Sequence, residues 1–320
     1  MLLISATLIV IPIFALIFAG WGAGRTGLFG VNASAEINKF VVWLAVPALL
    51  FEIISTSNIS ELWQPGFIGA FALSAVITLV VAIVMRLRTR GNLADAAIDG
   101  LNAAYSNIGF VGFPLLLVVL GETSLVFVTI ALMITMCVIF ATVIVLVEIA
   151  LHARGGVVKI AIKVAGTLIQ NPILVASAAA LPFPLFGWTV PDPAQTFLKM
   201  LGGAASPCAL VALGLFLSQP RPPIGPQRSL SAFLVTAKLV VHPLLAWFFA
   251  AHVFRLEPFQ VTSAILLAAL PAGTGSFMLA GFYARDASVS SFVIIASTLI
   301  SVMTLALLIA VQQSVASPWS

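Results

Sequence analysis

Apolar residues run in long uninterrupted stretches along this chain, separated by short groups of Gly, Pro and charged residues. The stretch from Phe67 to Met85 is typical. About 20 apolar residues cross a bilayer as an α-helix, whereas the strands of a membrane barrel alternate over short segments. The pattern therefore predicts an all-α polytopic membrane protein with ten spans. These are residues 3–22, 37–57, 66–86, 94–121, 124–151, 160–181, 195–217, 229–254, 259–283 and 287–312.

Composition supports the same class. Of the 320 residues, 62% are hydrophobic and 8% are charged, whereas a soluble domain carries about a quarter charged residues. Lys and Arg are too sparse for a nucleic-acid footprint. Cys137 and Cys208 lie within predicted spans and are interpreted as small apolar residues. The histidines His152, His242 and His252 lack metal-ligand spacing, so no metal or cofactor is predicted.

Basic residues alternate between loops, and this alternation orients the chain. They follow predicted spans one, three, five, seven and nine, whereas the even-numbered loops are nearly bare apart from Arg255 beside Glu257. By the positive-inside rule the odd-numbered loops face the cytoplasm, and both termini lie outside. The basic residues of the odd-numbered loops are Arg25, Arg86, Arg88, Arg90, Arg154, Lys159, Arg221, Arg228 and Arg285.

The two halves of the chain show a weak internal repeat. Residues 7–13 and 167–173 agree at five of seven positions, and the same shift of 160 residues carries Pro47 onto Pro207. Five spans per half is an odd number, so the second half is inserted upside down, as in many transporters. The predicted organisation is one repeat over 1–152, a cytoplasmic linker over 153–159 and a second repeat over 160–320.

Spans four and nine contain candidate helix breaks at corresponding places. Asp95, Asp99, Asn102 and Ser106 are spaced along one helical face that leads to a segment rich in Gly and ending at Pro114. Gly and Pro likewise interrupt span nine, where Thr274 and Ser276 are suited to cap the next helix. The predicted substrate-binding residues are Ser106, Asn107, Gly109, Gly112, Pro271, Gly273, Thr274, Gly275 and Ser276.

The alternative interpretation is that these glycines and prolines only permit kinks and close helix packing. Their recurrence in both halves favours a binding site, because half-helix N-termini carry partial positive charge. Pro47, Pro114 and Pro207 are predicted to kink their helices, and Pro47 and Pro207 also to shape the wall of the site.

Three ionisable residues inside predicted spans are candidates for charge compensation or ion coupling: Lys238, Glu52 and Asp99. Lys238 is placed too deep to reach the interface, and a structural ion pair is its alternative role. Glu148 is expected to reach the cytoplasmic interface instead.

These features together resemble the auxin efflux carrier family, which includes bacterial malonate-transporter-like permeases and the plant PIN-formed carriers. The resemblance rests on two inverted sets of five spans, the interruptions at Asn107-Ile108-Gly109 and Pro271-Ala272-Gly273, and Phe40 seven residues before Pro47. It implies a bile acid sodium symporter-like (sodium/proton antiporter-like) fold with two crossing broken helices. It also implies an elevator mechanism, organic-anion substrates, and roles for Asn107 and Pro271 at the crossing.

The predicted function is therefore secondary-active or potential-driven transport of small organic anions (carboxylates) across a bacterial inner membrane. A proton and sodium are the candidate coupling ions, and a homodimer is a candidate assembly. A channel, a sensor and a membrane-embedded enzyme are the rival functions. No clustered catalytic residues or nucleotide-binding loop favour an enzyme.

Overall fold

The computed structural model describes residues 2–56, 63–89, 91–152, 166, 169–170, 172–219 and 227–316. The predicted linker 153–159 and the start of the predicted sixth span lie outside these residues. Every regular element in the described part is helical. The helices are α1 (Leu2–Arg25), α2 (Ala33–Thr56), α3 (Pro65–Arg88), α4 (Leu93–Ala104), α5 (Ile108–Leu120), α6 (Glu122–Leu151), α7 (Pro172–Ala180), α8 (Pro182–Phe186), α9 (Asp192–Gly203), α10 (Ala205–Ser218), α11 (Arg228–Val253), α12 (Pro258–Ala269), α13 (Gly275–Phe282) and α14 (Ser288–Ala316).

Six stretches among the described residues are long and apolar enough to cross a membrane. They correspond to predicted spans two, three, five, seven, eight and ten, and consist of α2, α3, α6, α9 with α10, α11 and α14. The shorter helices α5 and α12 fall within predicted spans four and nine. The count of ten spans and the inverted repeat remain predictions.

Three prolines follow a wide π-helical turn in the same way. The turns are Val41–Ala45 before Pro47, Ile108–Gly112 before Pro114 and Ala237–Val241 before Pro243. Proline has no backbone N–H and its ring crowds the carbonyl one turn earlier, so a wider turn relieves the conflict. The helices α2 and α11 therefore continue through their prolines without ending.

The first compact unit consists of Met1–Gln64, Gly109–Ile130 and Ile169–Arg221. Its helices α1 and α10 approach closely through glycines: a Cβ on Gly20 would overlap the backbone of Val211, and one on Gly214 the backbone of Ile17. Small residues at helix contacts are a general feature of membrane proteins, because they let backbones approach.

The second compact unit consists of Pro65–Ile108, Ala131–Leu168 and Pro222–Ser320. Its core joins α3, α4, α6 and α13 through small and branched apolar side chains such as Leu79, Ala97 and Val143. Each unit thus draws segments from both halves of the sequence. The division into repeats over 1–152 and 160–320 remains a prediction.

Candidate functional site

Two interrupted helices of the second unit meet at a short stretch of extended backbone, here named the crossing (residues 105–107 and 270–274). The helix α4 ends at Ala104 and α12 ends at Ala269. Asn107 N donates to Pro271 O at 2.9 Å, and Gly273 N donates to Tyr105 O at 2.9 Å. Because lipid offers no hydrogen bonds, non-helical backbone within a membrane protein must find partners in the protein itself, and these reciprocal bonds supply two of them.

Lys238 reaches the crossing from the π-turn of α11. Its side chain is fully buried. The Nζ atom donates to Ser106 Oγ at 2.8 Å and to the carbonyl oxygen of Ala268 at 2.5 Å, and it lies 3.1 Å from His242 Nδ1. The sequence singled out both Lys238 and Ser106, and the structure brings them together.

Two polar atoms near this cluster are buried without a hydrogen-bond partner among the described residues. They are Asn107 Nδ2 and His242 Nε2. The exposed fraction of Asn107 is 4%, and that of His242 is 0%. A buried donor without an acceptor is costly, so Asn107 Nδ2 is well placed to bind an acceptor supplied by a ligand.

A second polar network connects α4, α13 and α14. Ser276 Oγ donates to Asn102 Oδ1 at 2.6 Å, and Asn102 Nδ2 donates to Ser290 Oγ at 3.0 Å. Ser276 is the second residue of α13, and its hydroxyl also lies 3.5 Å from the carbonyl oxygen of Gly273. Thr274 is half-buried next to the start of α13 at Gly275.

Tyr105 is a residue of the crossing that the sequence analysis missed. Its ring is buried against Gly273 and Gly275, where an added Cβ would overlap it. Its hydroxyl is 3.8 Å from Met136 Sδ. The one available signal was its position immediately before Ser106, because a tyrosine between Ala104 and Ser106 interrupts a run of small residues.

The carboxylates of α4 form ion pairs away from the crossing. Arg86 Nε is 2.8 Å from Asp99 Oδ2, and Arg285 Nη2 is 2.6 Å from Asp95 Oδ1. The structure therefore places the coupling candidate Asp99 in a pair with Arg86, in contrast to Lys238, which lies at the crossing.

The glycines predicted in span four lie on α5, after the crossing. Helical backbone resumes at Ile108 as a π-turn that contains Gly109 and Gly112, and the α-helical part begins at Phe113 with Gly112 as its N-cap. The π-turn extends the helix backwards from Pro114. Gly109 and Gly112 belong to the first compact unit, whereas Ser106 and Asn107 belong to the second.

The remaining candidates lie elsewhere. Pro47 is buried within α2 beside its π-turn, Pro207 is exposed near the start of α10, and Glu52 is half-buried on α2. Glu148 is buried and accepts a hydrogen bond from Tyr283 at 2.6 Å, and its position at the cytoplasmic interface stays a prediction. Cys208 is half-buried rather than fully buried. The side chains of His152 and Cys137 are not among those that the structure describes.

Known proteins that resemble this chain are described as transport proteins or carriers. The family model described as "Membrane transport protein" matches residues 5–309. The chain is 31% identical to the "Putative malonate transporter" of Rhizobium meliloti over 97% of each protein. It is 24% identical to "Auxin efflux carrier component 8" of Arabidopsis thaliana, over 94% of this chain and 95% of that one. An "Uncharacterized transporter" of Methanothermobacter thermautotrophicus is 26% identical over 96% of this chain and 98% of its own length.

Proposed function

The chain belongs to the auxin efflux carrier family of membrane transport proteins, and from this premise we propose that it carries small organic carboxylates across the membrane. Family membership places it with transporters and not with enzymes. Because the Rhizobium relative is described as a malonate transporter, short dicarboxylates are the first substrates to test.

The observation that carries this proposal is the unpartnered Asn107 amide at the crossing. Asn107 Nδ2 is buried and has no acceptor in the described part of the chain. A Cβ on Gly273 would lie 3.5 Å from Asn107 Cα, so Asn107 sits beside the segment that leads into α13. The N-terminus of α13 at Gly275 carries partial positive charge. A carboxylate would accept from Asn107 and be favoured by that charge.

The second compact unit would be the carrier in an elevator-type mechanism. It contains Asn107, Ser276, Lys238 and both backbone segments of the crossing, together with the hydrogen bonds between these residues. A rigid movement of this unit would therefore keep the site intact while its access changes sides. The first unit, with Gly109 and Gly112, would serve as the scaffold. The proposed setting is a bacterial inner membrane with both termini outside.

Replacement of Asn107 tests the site. We expect Asn107→Leu, which keeps the volume but removes the donor, to weaken malonate binding at least about tenfold, since a hydrogen bond to a charged group contributes about 1.5–3 kcal/mol. Binding is measured by thermal shift of purified protein, and transport by counterflow in proteoliposomes. The matched control is Asn32→Leu, because Asn32 is exposed at the start of α2. Unchanged malonate affinity and counterflow in Asn107→Leu would count against this site.

Counterflow also separates a carrier from a channel. Proteoliposomes that contain a carrier and are preloaded with unlabelled malonate accumulate labelled malonate transiently, because the labelled and unlabelled molecules exchange through one binding site. A channel shows no such transient accumulation and no saturation with concentration. Absence of both in the wild-type protein would contradict a carrier.

A further inference from the structure

The Lys238 amino group lies where the C-terminal ends of two helices converge. Ala268, whose carbonyl accepts from Nζ, is next to the last residue of α12, and Ser106 follows the end of α4 at Ala104 by two positions. The last carbonyls of a helix have no partner within it, and they give its C-terminus a partial negative charge. The two helix ends therefore create a buried place that favours a cation.

The contacts of Lys238 match the donors of an ammonium group. An ammonium has three N–H donors and no acceptor. Its neighbours are Ser106 Oγ, the Ala268 carbonyl and His242 Nδ1. In this arrangement His242 Nδ1 accepts, so the ring proton of His242 is on Nε2. All three ammonium donors are then satisfied.

A carboxylate partner for Lys238 is absent from the described residues. Acidic residues that the structure describes pair with other cations, as in Glu36–Lys39, Asp99–Arg86 and Asp95–Arg285. Among the described residues, Lys238 therefore does not form the structural ion pair that is the alternative to a functional role. A buried charge without an ionic partner is expensive to maintain, and charges of this kind inside a membrane protein typically serve a function.

We propose that Lys238 is a tethered cation: its ammonium group holds the position between the ends of α4 and α12 that a soluble cation would otherwise fill. Two of the three acceptors found here, the Ala268 carbonyl and the Ser106 hydroxyl, are oxygens of the kind that also bind hard metal cations. Transport of the anion by this protein therefore requires no sodium, and the positive charge opposite the anion is part of the chain. The role in transport rests on the proposed function, whereas the cation position itself does not.

Chemical rescue tests the cation position directly. The variant Lys238→Ala removes the side chain beyond Cβ and leaves Ser106, Ala268 and His242 as acceptors. We expect millimolar propylammonium to raise the thermal unfolding midpoint of Lys238→Ala, because a ligand stabilises the state that binds it. Propanol, which lacks the charge, should not do so. The wild-type protein and the control Lys39→Ala, which alters an exposed lysine, should show no such stabilisation.

Transport measurements test the consequence for coupling. We expect wild-type malonate uptake to be equal in sodium and in potassium buffers. Uptake by Lys238→Ala should fall at least tenfold and recover with propylammonium. Lys238→Met, which keeps most of the volume without the charge, should be as inactive as Lys238→Ala and should not recover, because its side chain fills the position.

The outcomes separate this inference from the proposed function. Sodium-dependent wild-type uptake, or full activity of Lys238→Met, would overturn the tethered cation while leaving carboxylate transport intact. Failure of the wild-type protein to bind or carry any carboxylate would overturn the proposed function, and the rescue by propylammonium would still decide the cation position. If Lys238→Ala yields no folded protein, Lys238→Met and the sodium comparison in the wild type decide it.

Discussion

The close approach of the two backbone segments at the crossing decides which residue types fit there. Gly273 and Gly275 face the Tyr105 ring, which occupies the space that their side chains would need. Sequence inspection identified these glycines as helix breakers, and it placed Ser106, Asn107 and Lys238 among the candidates. It missed Tyr105, because the role of this ring depends on its packing against Gly273 and Gly275, which the sequence does not show.

We therefore expect Gly273→Ala to destabilise the protein by about 1–3 kcal/mol, the usual cost of forcing an extra methyl group into a packed site. The smaller variant Tyr105→Ala should relieve the overlap, so the double variant should be more stable than the sum of the two single effects. Thermal unfolding in detergent measures this. The control is Gly22→Ala, where an added Cβ meets nothing within 4 Å. An additive double variant would show that the ring does not restrict Gly273.

At the scale of the element, the polar face of α4 divides into two functions. Its first part carries the ion pairs of Asp95 and Asp99, and its last part leads to Asn102 and the crossing. The sequence predicted the common face of Asp95, Asp99 and Asn102, because helical periodicity alone fixes it. Ser106, which was predicted on the same helical face, lies after the end of α4 at Ala104. The sequence did not predict the ion-pair partners Arg285 and Arg86, since those depend on which other segments pack against α4.

The two ion pairs should differ in strength because they differ in burial. In the Arg86–Asp99 pair the side chains are 16% and 8% exposed, whereas both are 29% exposed in the Arg285–Asp95 pair. Removing one partner of a buried pair leaves an uncompensated charge, which costs about 3–5 kcal/mol, whereas more exposed pairs contribute about 0–1 kcal/mol. We expect Arg86→Gln to lower the unfolding midpoint far more than Arg285→Gln. Equal effects would contradict this ranking.

At the scale of the whole molecule, the two compact units do not follow the order of the chain. The second compact unit combines residues from both halves of the sequence, and it contains every residue that meets at the crossing. The predicted division into repeats over 1–152 and 160–320 does not describe which segments pack together. The helical nature of the chain and its membrane class follow from the sequence, whereas the composition of the two units does not.

The orientation derived from the basic loops is a prediction that labelling can check. In a variant without Cys137 and Cys208, a cysteine at the exposed position Thr26 should react with an impermeant thiol reagent only from the cytoplasm. A cysteine at the exposed position Glu122 should react only from outside. Whole cells and inverted vesicles provide the two sides. Labelling of both positions from the same side would refute the proposed alternation of loops.

The sequence by itself determined that this chain is a helical membrane protein, where six of its apolar spans lie and where two further helical segments break. These properties depend on local composition, because about 20 apolar residues and a Pro or Gly act within one segment. Only the tertiary structure decided that Lys238 meets Ser106 and Ala268, residues 132 and 30 positions away. The same holds for Tyr105 against the glycines of the crossing. Contacts of this kind arise when separate helices pack against one another, and no periodicity within a single helix encodes them.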